Sequence, residues 1–144
     1  MSLRIIEAYS DCGVDIGRIV RRIVKYAPPD CLHGLHEISI LDKDPNNIGF
    51  ASYSKHERRI ELYVKDILGW QPWFLKKSFV FPYLTIGIAL GHEIDHHVTS
   101  RIDGIDKEKS AENNALRYVY PSLGIFKPIA RRLASIFGSK KCPQ

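Results

Sequence analysis

The sequence predicts an α+β fold, in a single domain spanning residues 1–144, and three observations carry that prediction. From Asp15 to Tyr26 the apolar positions Ile16, Ile19, Val20, Ile23 and Val24 recur with a helical period, and arginines take the opposite face. The segments His36 to Leu41, Ile48 to Tyr53 and Ile60 to Val64 alternate apolar and polar residues over the length of a strand. An apolar run from Phe79 to Val98 then encloses the polar stretch Gly91-His92-Glu93-Ile94-Asp95-His96-His97. A helix that must bury such residues has to give them partners.

Composition bounds what this domain can be. With 144 residues, 44% hydrophobic and 26% charged, the chain is long enough to bury a substantial core and has the balance of an ordinary soluble protein. Its net charge of +5 is spread over short pairs such as Arg21-Arg22, Arg58-Arg59 and Lys76-Lys77, which read as solvated surface and give no strong nucleic-acid signal. The cysteines Cys12, Cys31 and Cys142 are odd in number and widely spaced, so a disulfide framework or a thiolate zinc site is not expected. Together with an N-terminus that lacks a signal-peptide core and the absence of a membrane-length apolar run, this points to a cytoplasmic protein.

The elements follow in order. Leu3 to Tyr9 is a strand or a first helical turn, ended by Gly13. The helix from Asp15 is stopped by Pro28-Pro29. After the strand at His36, the turn residues Asp42 to Asn47 break the chain. The next two strands form a hairpin across Ser54 to Arg59. His33, His36 and His56 lack ligand spacing and read as surface or hydrogen-bonded residues. The aromatic stretch Asp66 to Tyr83 reads as core packing under a covering loop or short helix; a substrate-contacting lid or a membrane-touching patch is the alternative. Pro82 suits the first position of the central helix, which ends before Asp103-Gly104. Asp106 caps a further helix, Lys107 to Tyr120, closed by Pro121, and Pro128 to Phe137 is a last amphipathic helix ended by Gly138.

On the central helix, residues four apart share a face, so His92 and His96 can together grip one zinc ion. Glu93, one residue along, is placed to act as general base on a metal-activated water. This is the H-E-x-x-H arrangement of a metallopeptidase. His97 falls about 100° round the helix from His96 and reads as an ordinary polar residue. Catalytic zinc usually takes three protein ligands. Downstream of His97 there is no further histidine, so the third is a carboxylate: Asp103, Asp106, Glu108 or Glu112.

The pairing of His92-Glu93-Ile94-Asp95-His96 with Glu108-Lys109-Ser110-Ala111-Glu112, with Ala115 and Pro121 in register, resembles the gluzincin metallopeptidases. The order of elements is similar to that of the small soluble minigluzincins. The resemblance covers about residues 15–121. It implies a zincin-like core: a backing helix, a small twisted, mostly antiparallel or mixed sheet, an active-site helix and a glutamate helix. It further implies Glu108 as the third zinc ligand, with Glu112 steadying a ligand. Three features depart from the family pattern. Glu112 stands where a shorter Asp or Asn is usual, Asp95 where Gly is frequent, and only eleven residues separate His96 from Glu108.

The expectation is a zinc-dependent peptidase with one Zn²⁺ per chain, acting on a peptide or protein substrate. Tyr118, Tyr120 and Arg117 are candidates for the donor to the oxyanion, and by analogy one of the hairpin strands would hold extended substrate through its backbone. The alternative is a zinc-binding regulatory or interaction protein without peptidase activity, against which the intact Glu93 argues.

Overall fold

The computed structural model describes residues 3–47, 49–69, 71–102, 108–129 and 132. The chain opens with strand β1 (Arg4–Ala8), so of the two expectations for this segment the strand holds. Helix α1 (Ile16–Tyr26) follows, its Asp15 carboxylate accepting from the Arg18 N–H at 2.8 Å as an N-cap. Its periodic residues Ile16, Ile19, Val20 and Ile23 are all buried. A short helix, α2 (Pro29–Leu32), leads into β2 (Glu37–Leu41).

The hairpin expected from alternation is present as β3 (Ala51–Ser54) and β4 (Arg59–Tyr63), paired antiparallel with Tyr53 opposite Ile60 and Ala51 opposite Leu62. Arg58, at φ 50°, sits in the left-handed conformation that lets the turn close. The four strands lie in the order β1-β2-β4-β3. The sheet is mixed: β1–β2 and β2–β4 are parallel, and only β3–β4 is antiparallel. Of the two sheet types expected, mostly antiparallel or mixed, the mixed one is present. The reason is connectivity, because α1 carries the chain across the sheet and a helical crossover returns the next strand parallel.

Alternation separates the two faces of the sheet. Ile38, Ile40, Ile60 and Leu62 are fully buried under the helices. The opposite face is polar: Arg4 pairs with Glu37 at 2.7 Å, and Arg59 with Glu61 at 2.8 Å. Among the described residues the buried apolar side chains form one core, to which α1, β2, β4 and the central helix all contribute.

The aromatic stretch yields two short helices, α3 (Val64–Gly69) and α4 (Trp73–Lys76), before the central helix α5 (Val80–Ile102). It is not simply core. Tyr83 is buried, whereas Phe74 and Phe79 are exposed. Helix α5 begins two residues before Pro82, which still falls in the first turn, where a missing N–H breaks no bond. No helix among the described residues is long and apolar enough to cross a membrane.

Helix α6 (Glu108–Val119) then packs along α5 and tightens into a 3₁₀ segment, Tyr120–Phe126. Two glycines make the α5–α6 approach possible. A Cβ at Gly91 would run into the backbone carbonyl of Ala115, and one at Gly87 would stand 2.7 Å from Val119 Cγ1. The proposed cap Asp106 and most of the helix expected at 128–137 lie outside the described residues.

Candidate functional site

Helix α5 brings His92, Glu93 and His96 together directly after Gly91, which contacts α6. The two imidazoles meet edge to face, ring centroids 4.7 Å apart and planes at 71°, with their Nε2 atoms 3.0 Å from each other. Glu93 and His96 are buried and His92 is half-buried. Such a pair of ring nitrogens fits a zinc ion. With zinc–nitrogen bonds of about 2.0–2.1 Å, two ligands of a tetrahedral site stand about 3.3 Å apart, so the rings need open by only about 0.3 Å. Both would then present Nε2 as neutral imidazoles and keep the proton on Nδ1.

The third donor expected from the sequence belongs to a carboxylate. Asp103 and Asp106 lie outside the described residues, as do the side chains of Glu108 and Glu112. Among the described residues no group of three His, Cys, Asp or Glu forms. What the backbone does establish is the register of α6. Ala111 and Ala115 are buried against α5, and the position of Glu108, three and seven residues earlier, belongs to that same stripe.

Two neighbours in the motif have roles that sequence reasoning missed. His97, expected as an ordinary polar residue, is 2% exposed and bonded at both ring nitrogens. Its Nε2 lies 3.0 Å from the carbonyl of His33, an acceptor only, so Nε2–H donates. Nδ1 is then the acceptor, and the Tyr53 hydroxyl donates to it at 2.9 Å. Burial holds the His97 imidazole below its ordinary pKa, which agrees with a neutral ring in this role. The His33 carbonyl also accepts from Arg101 at 2.7 Å, so one backbone oxygen ties α5 down twice.

Asp95, noted in the sequence only as a departure from Gly, is also buried, and its Oδ1 accepts from the Tyr118 hydroxyl at 2.7 Å. That bond joins α5 to α6. It also removes Tyr118 from the expected oxyanion donors, because its hydroxyl is committed and its ring is buried. Desolvation and the Asp95 carboxylate both push the tyrosine's pKa upward. Tyr120 is half-buried and Arg117 exposed. A signal for Asp95 and His97 existed in the sequence: polar side chains on an apolar helix require partners. Their identity did not, because Tyr53, His33 and Tyr118 are distant along the chain.

Cys12 and Cys31 are free thiols, and Cys142 lies outside the described residues. Compared with family models, with curated proteins and with solved structures, the chain matches none.

Proposed function

We propose that this protein is a zinc-dependent peptidase. The observation that carries the reading is the convergence of His92 Nε2 and His96 Nε2, 3.0 Å apart, beside the buried Glu93 on one helix. His92 and His96 would hold the metal, with Glu108 as third ligand by the register of α6 and by the resemblance, and Glu112 as the residue steadying a ligand. Bound zinc supplies a Lewis acid that acidifies water and polarises a carbonyl.

The chain's own residues do the rest. Glu93 is buried, so its carboxylate is largely withdrawn from bulk water. There it accepts a proton from the attacking water and delivers it to the leaving nitrogen as the peptide C–N bond breaks. Between the two hairpin strands suggested for substrate, topology favours β3. β4 is paired on both sides, whereas β3 lies at the edge of the described sheet and packs against α5, where an extended peptide could add as a strand.

The test is metal content and cleavage measured together. Protein purified without chelators should hold one zinc per chain, and His92→Ala or His96→Ala should abolish tight binding. Glu93→Gln should keep zinc and fold yet lose hydrolysis of a peptide library. A wild-type protein that binds zinc and cleaves nothing would replace this reading with that of a regulatory zinc protein.

A further inference from the structure

The 16 acidic residues of this chain are unevenly placed. None occurs in 16–29, in 67–92 or in 113–144, although these stretches hold four, two and six of the 21 lysines and arginines. Folding joins parts of these three stretches at one junction. The Arg22 Nε–H of α1 donates to the carbonyl of Ser122 at 3.0 Å. A shallow cavity there is lined by Arg22, Phe79, Val80, Tyr83, Ser122 and Leu123, drawing on all three stretches.

Around this junction, large apolar side chains stand in water. Ile125 is 86% exposed, and Phe79, Tyr26 and Ile129 are each about half exposed. Cations are interleaved with them: Arg22 and Lys25 lie 5.8 and 5.6 Å from the Tyr26 ring centroid, and the exposed Lys127 sits between Ile125 and Ile129 in the chain. Of the α1 cations, Arg21 is paired with Glu7 of β1 and lies 3.9 Å from Asp15, so on this helix the argument rests on Arg22 and Lys25.

We propose that the surface around this junction is a docking surface for an anionic lipid bilayer. A patch of exposed aliphatic and aromatic residues with Arg22, Lys25 and Lys127 among them matches the boundary between headgroups and acyl chains. There apolar side chains enter the hydrocarbon margin while Lys and Arg reach lipid phosphates. A nucleic acid would use the same cations but gains nothing from Ile125 and Ile129, and this favours lipid. The inference stands apart from the peptidase reading, since neither the motif on α5 nor a metal enters it.

Co-sedimentation of the full chain with vesicles tests it, using phosphatidylcholine alone and phosphatidylcholine mixed with phosphatidylserine. Binding is expected to the anionic vesicles and to weaken as salt rises. Lys25→Ala with Lys127→Ala should weaken it about 25-fold, at roughly fivefold per cation. Ile125→Ser with Ile129→Ser should weaken it at least about 10-fold, as loss of buried CH₂ groups requires. All four side chains are exposed, and circular dichroism checks that the variants fold. Four outcomes would overturn the proposal: no binding to anionic vesicles, vesicle binding untouched by the isoleucine changes, tighter binding to a DNA duplex at the same salt, or a solution dimer that the isoleucine changes dissociate.

Discussion

The Tyr53 hydroxyl, on the edge strand of the sheet, donates to Nδ1 of His97 across 2.9 Å, and this bond ties β3 to the helix that carries His92, Glu93 and His96. The rings also meet edge to face, with centroids 5.3 Å apart. A strand at a sheet's edge has only one hydrogen-bonded neighbour, so a side-chain link of this kind sets its distance from the helix.

Tyr53→Phe should therefore cost more than the loss of a surface hydroxyl. It leaves a buried imidazole nitrogen without its donor, a loss of about 1–3 kcal/mol. Urea unfolding of the variant should show a correspondingly lower midpoint with zinc content unchanged. Wild-type stability in Tyr53→Phe would mean that the bond does not hold the strand.

Gly91→Ala tests the contact between α5 and α6. In an open helix the change would stabilise by roughly 0.5–1 kcal/mol. Here the new methyl meets the backbone of Ala115, which cannot swing aside as a side chain can. A loss of about 1–3 kcal/mol is expected, as for overpacking. Zinc affinity should fall with it, because α6 carries Glu108. Gly69→Ala, at the end of α3 where nothing stands within 4 Å of the added Cβ, is the control and should be neutral to mildly stabilising.

Glu108 and Glu112 are distinguished by zinc titration. Both positions lie on one face of α6 a turn apart; the register of the resemblance and the place of Glu108 in the first turn make it the proposed ligand, so Glu108→Ala should lose far more affinity than Glu112→Ala. Removal of a residue that only steadies a ligand costs about 10–100-fold. A larger loss in Glu112→Ala would exchange the two roles.

Cys31 gives a pH signature. Its thiol is buried and donates to the Pro28 carbonyl, and burial pushes it up to about 11 from an ordinary value of 9.0. As pH rises through 9, the unfolded chain releases this proton while the native state keeps it. Stability is therefore lost between about pH 9 and pH 11 and levels off above. Cys31→Ala should flatten that part of the curve relative to wild type, and native Cys31 should resist alkylation at pH 8. An identical slope in the variant would place the thiol's native pKa near its ordinary value.

Much of the candidate site was legible along the chain. His92, Glu93 and His96 lie within five consecutive residues, and a 3.6-residue period is enough to put both histidines on one face. The same local rule located α1 and the alternation of β2, β3 and β4, because each depends on neighbours a few residues apart. Pro82 was placed two positions late for the same reason: the first turn of a helix accepts proline at several positions, so the residue marks a region and not a boundary.

By itself, then, the sequence determined which residues share a face: the histidine pair with Glu93 beside it, the buried stripe of α1, and the inward isoleucines of the sheet. Only the tertiary structure decided what each face meets. It placed β4 between β2 and β3, leaving β3 at the edge, and it gave His97 to Tyr53 and Asp95 to Tyr118, partners 44 and 23 residues away. It also gathered Arg22, Phe79 and Leu123, from three separate stretches, around one cavity. The physical reason is range. Helical and strand periods are set by backbone geometry between near neighbours, whereas partner choice depends on how crossovers and close helix contacts, such as Gly91 on Ala115, fold distant segments together.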